Sequence, residues 1–454
     1  MDIVIDFSQI GANPLANIWW FFRTIGWIYP VFLFGLGMAK YWQSLIRAEY
    51  RKKRKYLILA IDVPRNNEQT PKAVENIFNH LAGAHKPLRR IDKWWYGELP
   101  ESFSFEIISI GGYIQFLVHL EQKFRDLVEA IIYAQYPDAE ITEVEDYTKD
   151  WNIKFPNEKY NLWGAEVIPA RSEYYPIRVY KEFEDTASKA TYKDSMASLL
   201  ESLTRIGPGE QIWVQFVVTP ADNDWGDGAK KLVNKLIGAA PEEPKGLVTK
   251  INKFFAFIVD TIITPPESAG DKKSDPNKLM YLTEGEKDVV TAVERKAAKI
   301  GFHTRILVLY IAEKERFNKA MGGTIYGSFK QYNTNNLNSL KPNSKTSTVG
   351  MVYFKDRRLN ARRNNLLHEY KSRGHWMEPG QYGFILNSEE LATVYHFPTD
   401  IVKTPLLQQT QVKKGEPPIS LPIENMVSKN TGPNFNSSTN ADEQKAAPPI
   451  NLPT

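Results

Sequence analysis

The sequence predicts an α+β protein, with one amino-terminal transmembrane helix ahead of tandem ferredoxin-like (βαββαβ) domains and a disordered Pro-rich tail. An apolar stretch framed by aromatic residues predicts the helix. Two regions where strand and helix periodicities alternate in one order predict the domains, and a polar Pro-rich end predicts the tail. The predicted boundaries, in chain order, are 1–55, 56–150, 160–400 and 401–454.

The anchor stretch begins with Trp19-Trp20 and ends with Tyr41-Trp42. These aromatic pairs are about 22 residues apart, or roughly 33 Å of helix, and a bilayer core is about 30 Å thick. Aromatic rings at both ends are typical of the interfacial belts of a spanning helix. The predicted anchor residues are aromatic: Trp19, Trp20, Trp27, Phe32, Phe34, Tyr41 and Trp42.

Charge around this stretch is asymmetric. Asp2 and Asp6 are the only charges before Arg23, whereas seven Lys or Arg lie from Lys40 to Lys55. Positive charge favours the cytoplasmic side, which predicts an outside amino terminus and a cytoplasmic body. The predicted contacts to lipid headgroups are basic: Arg51, Lys52, Lys53, Arg54 and Lys55.

A cleaved signal peptide, an interfacial helix and a buried soluble helix are the alternatives. The acidic amino-terminal region disfavours a signal peptide, and aromatic residues at both rims disfavour a buried helix. Arg23 inside the apolar run favours an interfacial helix, although its side chain can reach the headgroups from near one end. Pro30 would kink a spanning helix without forbidding it.

The first domain is predicted from six elements in the order βαββαβ. Gly111-Gly112 predicts a tight hairpin between its second and third strands. Pro71 begins the first helix and Pro137 follows the second. The predicted strands are 56–63, 104–110, 113–120 and 140–145.

The second domain repeats this order around an insertion at 220–300. Thr283 and Glu286 form a capping box that begins the second of two helices in the insertion. Phe254–Val259 is apolar and is either a helix packed on its own domain or an amphipathic segment that touches membrane or a partner. The predicted strands are 176–180, 211–218, 304–311 and 349–354, and the predicted helices are 196–206 and 320–329.

The carboxyl end is rich in proline, and Phe435 is its only aromatic residue after Phe397. Such a segment buries too little apolar surface to offset the entropy of ordering it, which predicts disorder. The chain as a whole has 454 residues, a formal net charge of +4 and no cysteine. The lack of cysteine excludes disulfides, thiol catalysis and thiolate zinc sites.

Catalytic motifs are absent from the sequence. Gly226–Lys230 lacks the spacing of a phosphate-binding P-loop. His368-Glu369 and His375 do not form His-Glu-x-x-His, and Gly374 interrupts the helix between them. We therefore expect no enzymatic activity, no cofactor, no metal and no small-molecule substrate.

One basic cluster is the candidate contact for DNA or RNA, and its alternative interpretation is a solvated cationic helix face. Phosphate contacts from such a cluster would make binding strongly salt-dependent. Its residues are Lys355, Arg357, Arg358, Arg362 and Arg363.

Four stretches (133–146, 209–216, 329–338 and 386–398) resemble the membrane-anchored amino-terminal region of bacterial conjugative, type IV secretion coupling-type ATPases. In fused relatives a Pro-rich linker like 403–424 leads into a motor with a P-loop, whereas this sequence ends at Thr454 without one. The resemblance implies a non-enzymatic scaffold at the bacterial inner membrane that docks a separate ATPase in trans. The alternative is a membrane-tethered protein that binds nucleic acid through the basic cluster at Lys355–Arg363.

Overall fold

A computed structural model describes residues 28–64, 67–183, 194–222, 224–238, 282–349, 353–374 and 383–399. Trp19, Trp20 and Trp27, the segment Phe254–Val259 and the predicted tail at 401–454 lie outside these residues. The described residues form helices and an antiparallel sheet, so the predicted α+β class is confirmed.

The first half follows a long helix. Helix α1 (Ile28–Lys52) leads into β1 (Tyr56–Asp62), and α2, β2, β3, α3 and β4 follow in βαββαβ order. Its strands lie in the order β4-β1-β3-β2. The bounds are Pro71–Leu81 for α2, Phe103–Ile110 for β2, Tyr113–Glu121 for β3, Arg125–Gln135 for α3 and Glu140–Val144 for β4.

The second half repeats the order as β5, α4, β6, β7, α7 and β8, with α5 and α6 inserted between β6 and β7. Its strands lie in the order β6-β7-β5-β8. The bounds are Tyr160–Pro169 (β5), Ala197–Thr204 (α4), Glu210–Pro220 (β6), Trp225–Leu236 (α5), Glu284–Ala297 (α6), Gly301–Glu313 (β7), Lys319–Phe329 (α7) and Leu340–Pro342 (β8).

The two halves share one sheet, because β2 pairs antiparallel with β6 from Phe103↔Val218 to Ile110↔Gln211. The remaining α-helices and strands of the described residues are α8 (Lys355–Ser372), β9 (Phe384–Asn387), which pairs with β7, and α9 (Ser388–Val394). The stretch between 150 and 160, where the sequence predicts a domain boundary, connects β4 to β5 of this shared sheet.

Both faces of this sheet are covered. The helices α2, α3, α4, α7 and α9 pack on one face in a single core that spans both halves. On the other face, Leu366, Leu367 and Tyr370 of α8 pack against Trp213 and Leu309. Consecutive residues of β1 point to opposite faces of the sheet, as the two-residue period of a strand requires. Ile58 belongs to the core covered by α8, and Leu59 belongs to the core covered by the other helices.

The structure corrects the first strand of the second half, which the sequence predicts at 176–180. That strand is β5, whereas Tyr180 begins a 3₁₀ turn. Gly164 and the polar Glu166 interrupt the apolar pattern of β5. A Cβ at Gly164 would lie 2.6 Å from Leu309 Cδ2, and buried Glu166 accepts from Arg305 at 2.7 Å.

The strand predicted at 349–354 is not found at the described residues of that stretch, 349, 353 and 354. The last strand of this half is β8, while Val349, Tyr353 and Phe354 are exposed and residues 350–352 lie outside the described part. These three described side chains are not covered by the sheet, whereas Leu340 of β8 is fully buried.

Candidate functional site

Helix α1 exposes its apolar residues. Among the described residues, no helix is both long and apolar enough to span a bilayer, so the predicted single span is unsupported. Yet the side chains from Val31 to Leu45 include a large exposed apolar set: Val31, Phe32, Leu33, Phe34, Leu36, Met38, Tyr41, Trp42 and Leu45. Phe32, Phe34, Tyr41 and Trp42 thus lie on the exposed surface of α1.

Arg54 ties the end of α1 to the sheet. Its guanidinium lies 3.2 Å from Glu101 and 3.5 Å from Glu121, and it donates to the Leu99 carbonyl at 3.0 Å and the Tyr50 hydroxyl at 2.9 Å. Burial alone would lower the pKa of Arg54, but Tyr50 and the two carboxylates raise it above its ordinary value.

The predicted headgroup residues therefore separate into two groups. Arg54, with a side chain only 7% exposed, contacts the body rather than solvent. Arg51 is half-buried and donates from Nε to the Arg47 carbonyl at 3.1 Å. Lys52, Lys53 and Lys55 are exposed.

A second apolar feature lies beside α1, and sequence reasoning missed it. We call Ile91, Trp94, Trp95 and Tyr96 the aromatic knuckle. It is formed around one π-helical turn, Asp92–Tyr96, and Trp94, Trp95 and Tyr96 are 52%, 69% and 59% exposed. The Trp-Trp-Tyr run among Lys and Arg residues is the signal that could have revealed it.

Gly97 lets the knuckle approach α1 closely. Its φ is +66°, and a Cβ there would lie 2.7 Å from Ile46 Cγ2 and 2.9 Å from the Arg47 backbone nitrogen. Asp92 anchors the same turn by accepting from Arg89 Nε at 3.0 Å. The knuckle is therefore held against the last turns of the helix.

A cavity of about 750 Å³ opens at the end of α1. Ala48, Arg51 and Lys52 of α1 form one wall, and α8 forms another. The third wall is the loop after β4, where Trp151 packs edge-on against Trp213 at 5.7 Å between ring centroids. These residues come from three distant parts of the chain, so no sequence spacing could have revealed the cavity.

The predicted nucleic-acid cluster is divided by the fold. Lys355, Arg357 and Arg358 are exposed on the first turns of α8. Arg362 donates to the Ser347 carbonyl, and Arg363 donates to the Leu162 carbonyl at 2.9 Å. Burial lowers the pKa of Arg363. Two of the five basic residues thus bind backbone within the fold.

His368 lines the cavity, and His375 lies outside the described residues. In the described part of the chain, no three His, Asp or Glu side chains converge as metal ligands would.

A family model described as a domain of unknown function, DUF8128, matches residues 49–410. No curated protein matches the sequence. The matched region begins within the last turn of the long helix and contains the knuckle, every lining residue of the cavity except Ala48, and all the described strands of the sheet.

Proposed function

The chain belongs to the DUF8128 family of unknown function, and we propose that it is a non-enzymatic, membrane-anchored scaffold of a type IV secretion- or conjugation-like system. In this proposal it docks a separate ATPase in trans. Its body is a pair of ferredoxin-like halves at the cytoplasmic face of a bacterial inner membrane.

The observation that carries the proposal is the rigid connection between α1 and the sheet. The exposed apolar run ends at Leu45, Arg54 is fixed to Glu101 and Glu121, and β1 begins at Tyr56. If α1 enters a bilayer, this clamp holds the body at a fixed distance from the surface. A fixed platform is what a docked partner needs, whereas a flexible linker would let the body drift.

Two further features support a membrane surface. The aromatic knuckle presents Trp and Tyr side chains, which favour the interface between headgroups and hydrocarbon. The exposed Lys52, Lys53 and Lys55, at and just after the end of α1, would each gain about 1 kcal/mol from attraction to anionic lipid. The ATPase as partner rests on the resemblance of the four sequence stretches to coupling-type proteins.

Affinity capture of the tagged full-length protein from crosslinked native membranes tests the proposal, with partners identified by mass spectrometry. An ATPase of the secretion or conjugation class should be recovered with the wild type. Leu33→Lys/Phe34→Lys should lose both the membrane association and the ATPase. Val349→Lys, at an exposed apolar position of the body, is the matched control and should retain both. Failure to recover an ATPase with the wild type would overturn the scaffold proposal.

The alternative function is nucleic-acid binding, favoured by the exposure of Lys355, Arg357 and Arg358 on one helix end. Only three of the five basic residues in the predicted cluster are exposed, so this helix end would make fewer contacts to phosphate than the sequence predicts. Capture of DNA or RNA without an ATPase, lost in Arg357→Glu/Arg358→Glu, would favour this alternative.

A further inference from the structure

Strand β4 forms one edge of the sheet. Within the part of the chain that the structure describes, β1 pairs with one side of β4 and no strand pairs with the other. β4 has five residues, whereas β8 at the opposite edge has three. An unpaired edge is a template for a further strand, because its N–H and C=O groups have no partner in the sheet.

The strand register identifies the backbone groups at this edge. Gln122 donates to the Lys55 carbonyl at 2.9 Å, so Lys55 turns its backbone groups toward β3. Successive residues of an antiparallel strand turn their groups to opposite sides. Ala60 therefore turns its groups toward β4, where it pairs with Thr142. The neighbours of Thr142 in β4 turn theirs away from β1.

These neighbours are Ile141 and Glu143, which direct their N–H and C=O groups to the outer side of the sheet. Their side chains have partners within the fold. Ile141 packs against the core that spans both halves, and Glu143 lies 2.7 Å from Arg125. The strand is thus fixed in place while its outer backbone groups have no strand beside them among the described residues.

Charge at this edge disfavours pairing with a second copy of β4. From Pro137 to Asp146 the sequence has five carboxylates and no Lys or Arg. Glu140 and Glu143 are exposed. Two β4 strands side by side would bring like charges opposite each other, which destabilises a strand pair. An extended segment without carboxylates fits the edge better.

The described fold ends beside β4. Phe397 packs edge-on against Tyr136 at 5.1 Å between ring centroids, and Tyr136 lies four residues before Glu140. The backbone of Thr399 donates to Asp194 at 3.2 Å. Seven residues beyond Thr399 span up to about 23 Å when extended. The chain that follows Thr399 is therefore within reach of the β4 edge.

The family match continues past Thr399 to residue 410. Residues 400–410 lie outside the described part of the structure. Their sequence after Asp400 has one Lys and no Asp or Glu, and no proline or glycine follows Pro405 within it. The stretch 406–410 thus matches β4 in length and brings no negative charge to the exposed Glu140 and Glu143.

We propose that residues 406–410 add to the outer edge of β4 as a further strand of the sheet. Because the occupant belongs to the same chain, its effective concentration at the edge is high. This pairing closes the edge to other chains. It does not depend on membrane anchoring by α1 or on an ATPase partner.

Hydrogen exchange of the detergent-solubilised full-length protein, resolved to single residues, tests the proposal. Leu406→Pro/Gln408→Pro removes the capacity of the segment to pair, because proline lacks an N–H. It should speed exchange of the Ile141 and Glu143 amides at least about tenfold. The Thr142 amide faces β1, so it should keep the wild-type rate and report that the fold is intact.

The matched control is Val412→Pro/Lys414→Pro, beyond the family match, which should leave every β4 amide at the wild-type rate. If the Ile141 and Glu143 amides exchange as fast in the wild type as in Leu406→Pro/Gln408→Pro, the edge is uncovered and the proposal is wrong. If they exchange slowly in both proteins, another occupant covers the edge, which also overturns it.

Disulfide formation identifies the occupant, since the chain has no cysteine of its own. Glu143→Cys is combined in turn with Leu406→Cys, Leu407→Cys, Gln408→Cys and Gln409→Cys. Mild oxidation should link alternate positions within one chain, because side chains of a strand alternate between faces.

Lys345→Cys, exposed beyond β8 at the opposite edge of the sheet, is the control and should link to none of them. If Glu143→Cys alone links two chains, the occupant is a second copy and the assignment to 406–410 fails.

Discussion

Arg373 and Glu106 form an ion pair that is closed to solvent, with 2.8 Å between Arg373 Nε and Glu106 Oε1 and side chains 3% and 0% exposed. Arg373 follows α8, and Glu106 lies in the middle of β2. Arg373 also donates to Asp146 at 2.8 and 2.9 Å. Glu106 accepts in addition from Tyr147 and Gln215. The pair therefore joins the α8 cover to the centre of the sheet.

Replacing Arg373 with Met should destabilise the fold by about 3–5 kcal/mol, because Glu106 would stay buried without its cation. Equilibrium urea unfolding measures the change. Arg357→Met, on the exposed start of the same helix, should stay within about 0.5 kcal/mol of the wild type. If Arg373→Met unfolds at the same urea concentration as the wild type, the ion pair with Glu106 does not stabilise the fold.

His119 should make stability depend on pH. Burial, with a smaller contribution from Arg373, lowers the pKa of His119 from 6.5 to about 3. Below about pH 6.5 the unfolded chain gains a proton that the native chain does not. The contribution of neutral His119 to the free energy of unfolding is therefore complete above pH 6.5. Below that pH it decreases by about 1.4 kcal/mol per pH unit, down to about pH 3.

His119→Phe keeps a ring stacked on Tyr56, which His119 faces at 5.1 Å. It should flatten the slope of unfolding free energy between pH 6.5 and 5. Burial also lowers the pKa of His303, so a residual slope is expected. An unchanged slope in His119→Phe would contradict the assignment.

Arg54→Met should loosen α1 from the sheet and cost about 2–3 kcal/mol, since Glu101 and Glu121 would lose their most buried cation. Hydrogen exchange should rise first in the last turns of α1. Lys53→Met, on the exposed side of the same turn, should leave exchange there unchanged. If hydrogen exchange rises only in β6 or β7, Arg54 does not hold α1 against the sheet.

Two adjacent glycines of α7 should respond oppositely to alanine. A Cβ at Gly322 would lie 2.3 Å from the Trp163 ring, so Gly322→Ala should cost about 1–3 kcal/mol. A Cβ at Gly323 meets nothing within 4 Å, so Gly323→Ala should stabilise by up to about 1 kcal/mol through helix propensity. Thermal unfolding of the pair separates packing from propensity, and equal shifts would refute the packing claim.

The absence of cysteine allows the knuckle to be probed by one label. Spin-labelled Trp95→Cys in anionic vesicles should gain accessibility to oxygen and lose accessibility to a water-soluble relaxant. The control is Tyr113→Cys, exposed at the end of β3 away from α1. Tyr113 is the first residue of β3, whereas the last residue of this strand, Glu121, is the end that lies near α1. There, Gln122 donates to the carbonyl of Lys55, three residues after α1, at 2.9 Å. If both labels report the same aqueous environment, the knuckle does not touch lipid.

The sequence predicts the elements whose pattern is local. β2 and β3 are runs rich in apolar residues on either side of Gly111-Gly112, and both strands are found. β5 was missed because Glu166 is neutralised by Arg305, a residue 139 positions away. The cavity brings Arg51, Trp151 and Lys371 together by folding alone. The local sequence pattern therefore predicts strands. It does not predict ion pairs between residues distant in sequence, or cavities lined by several separate segments.

The β2–β6 pairing places the equivalent strand of each half at a shared seam. A half on its own would present that strand as a free edge, which is a template for association with another chain. The intact chain carries both edges inside one polypeptide, in the way that two copies of a small protein meet about a twofold axis. The chain therefore resembles a dimer whose subunits are covalently linked, and dilution cannot separate its halves. If the halves were separated by cleavage, each would expose an unpaired strand edge and would tend to aggregate.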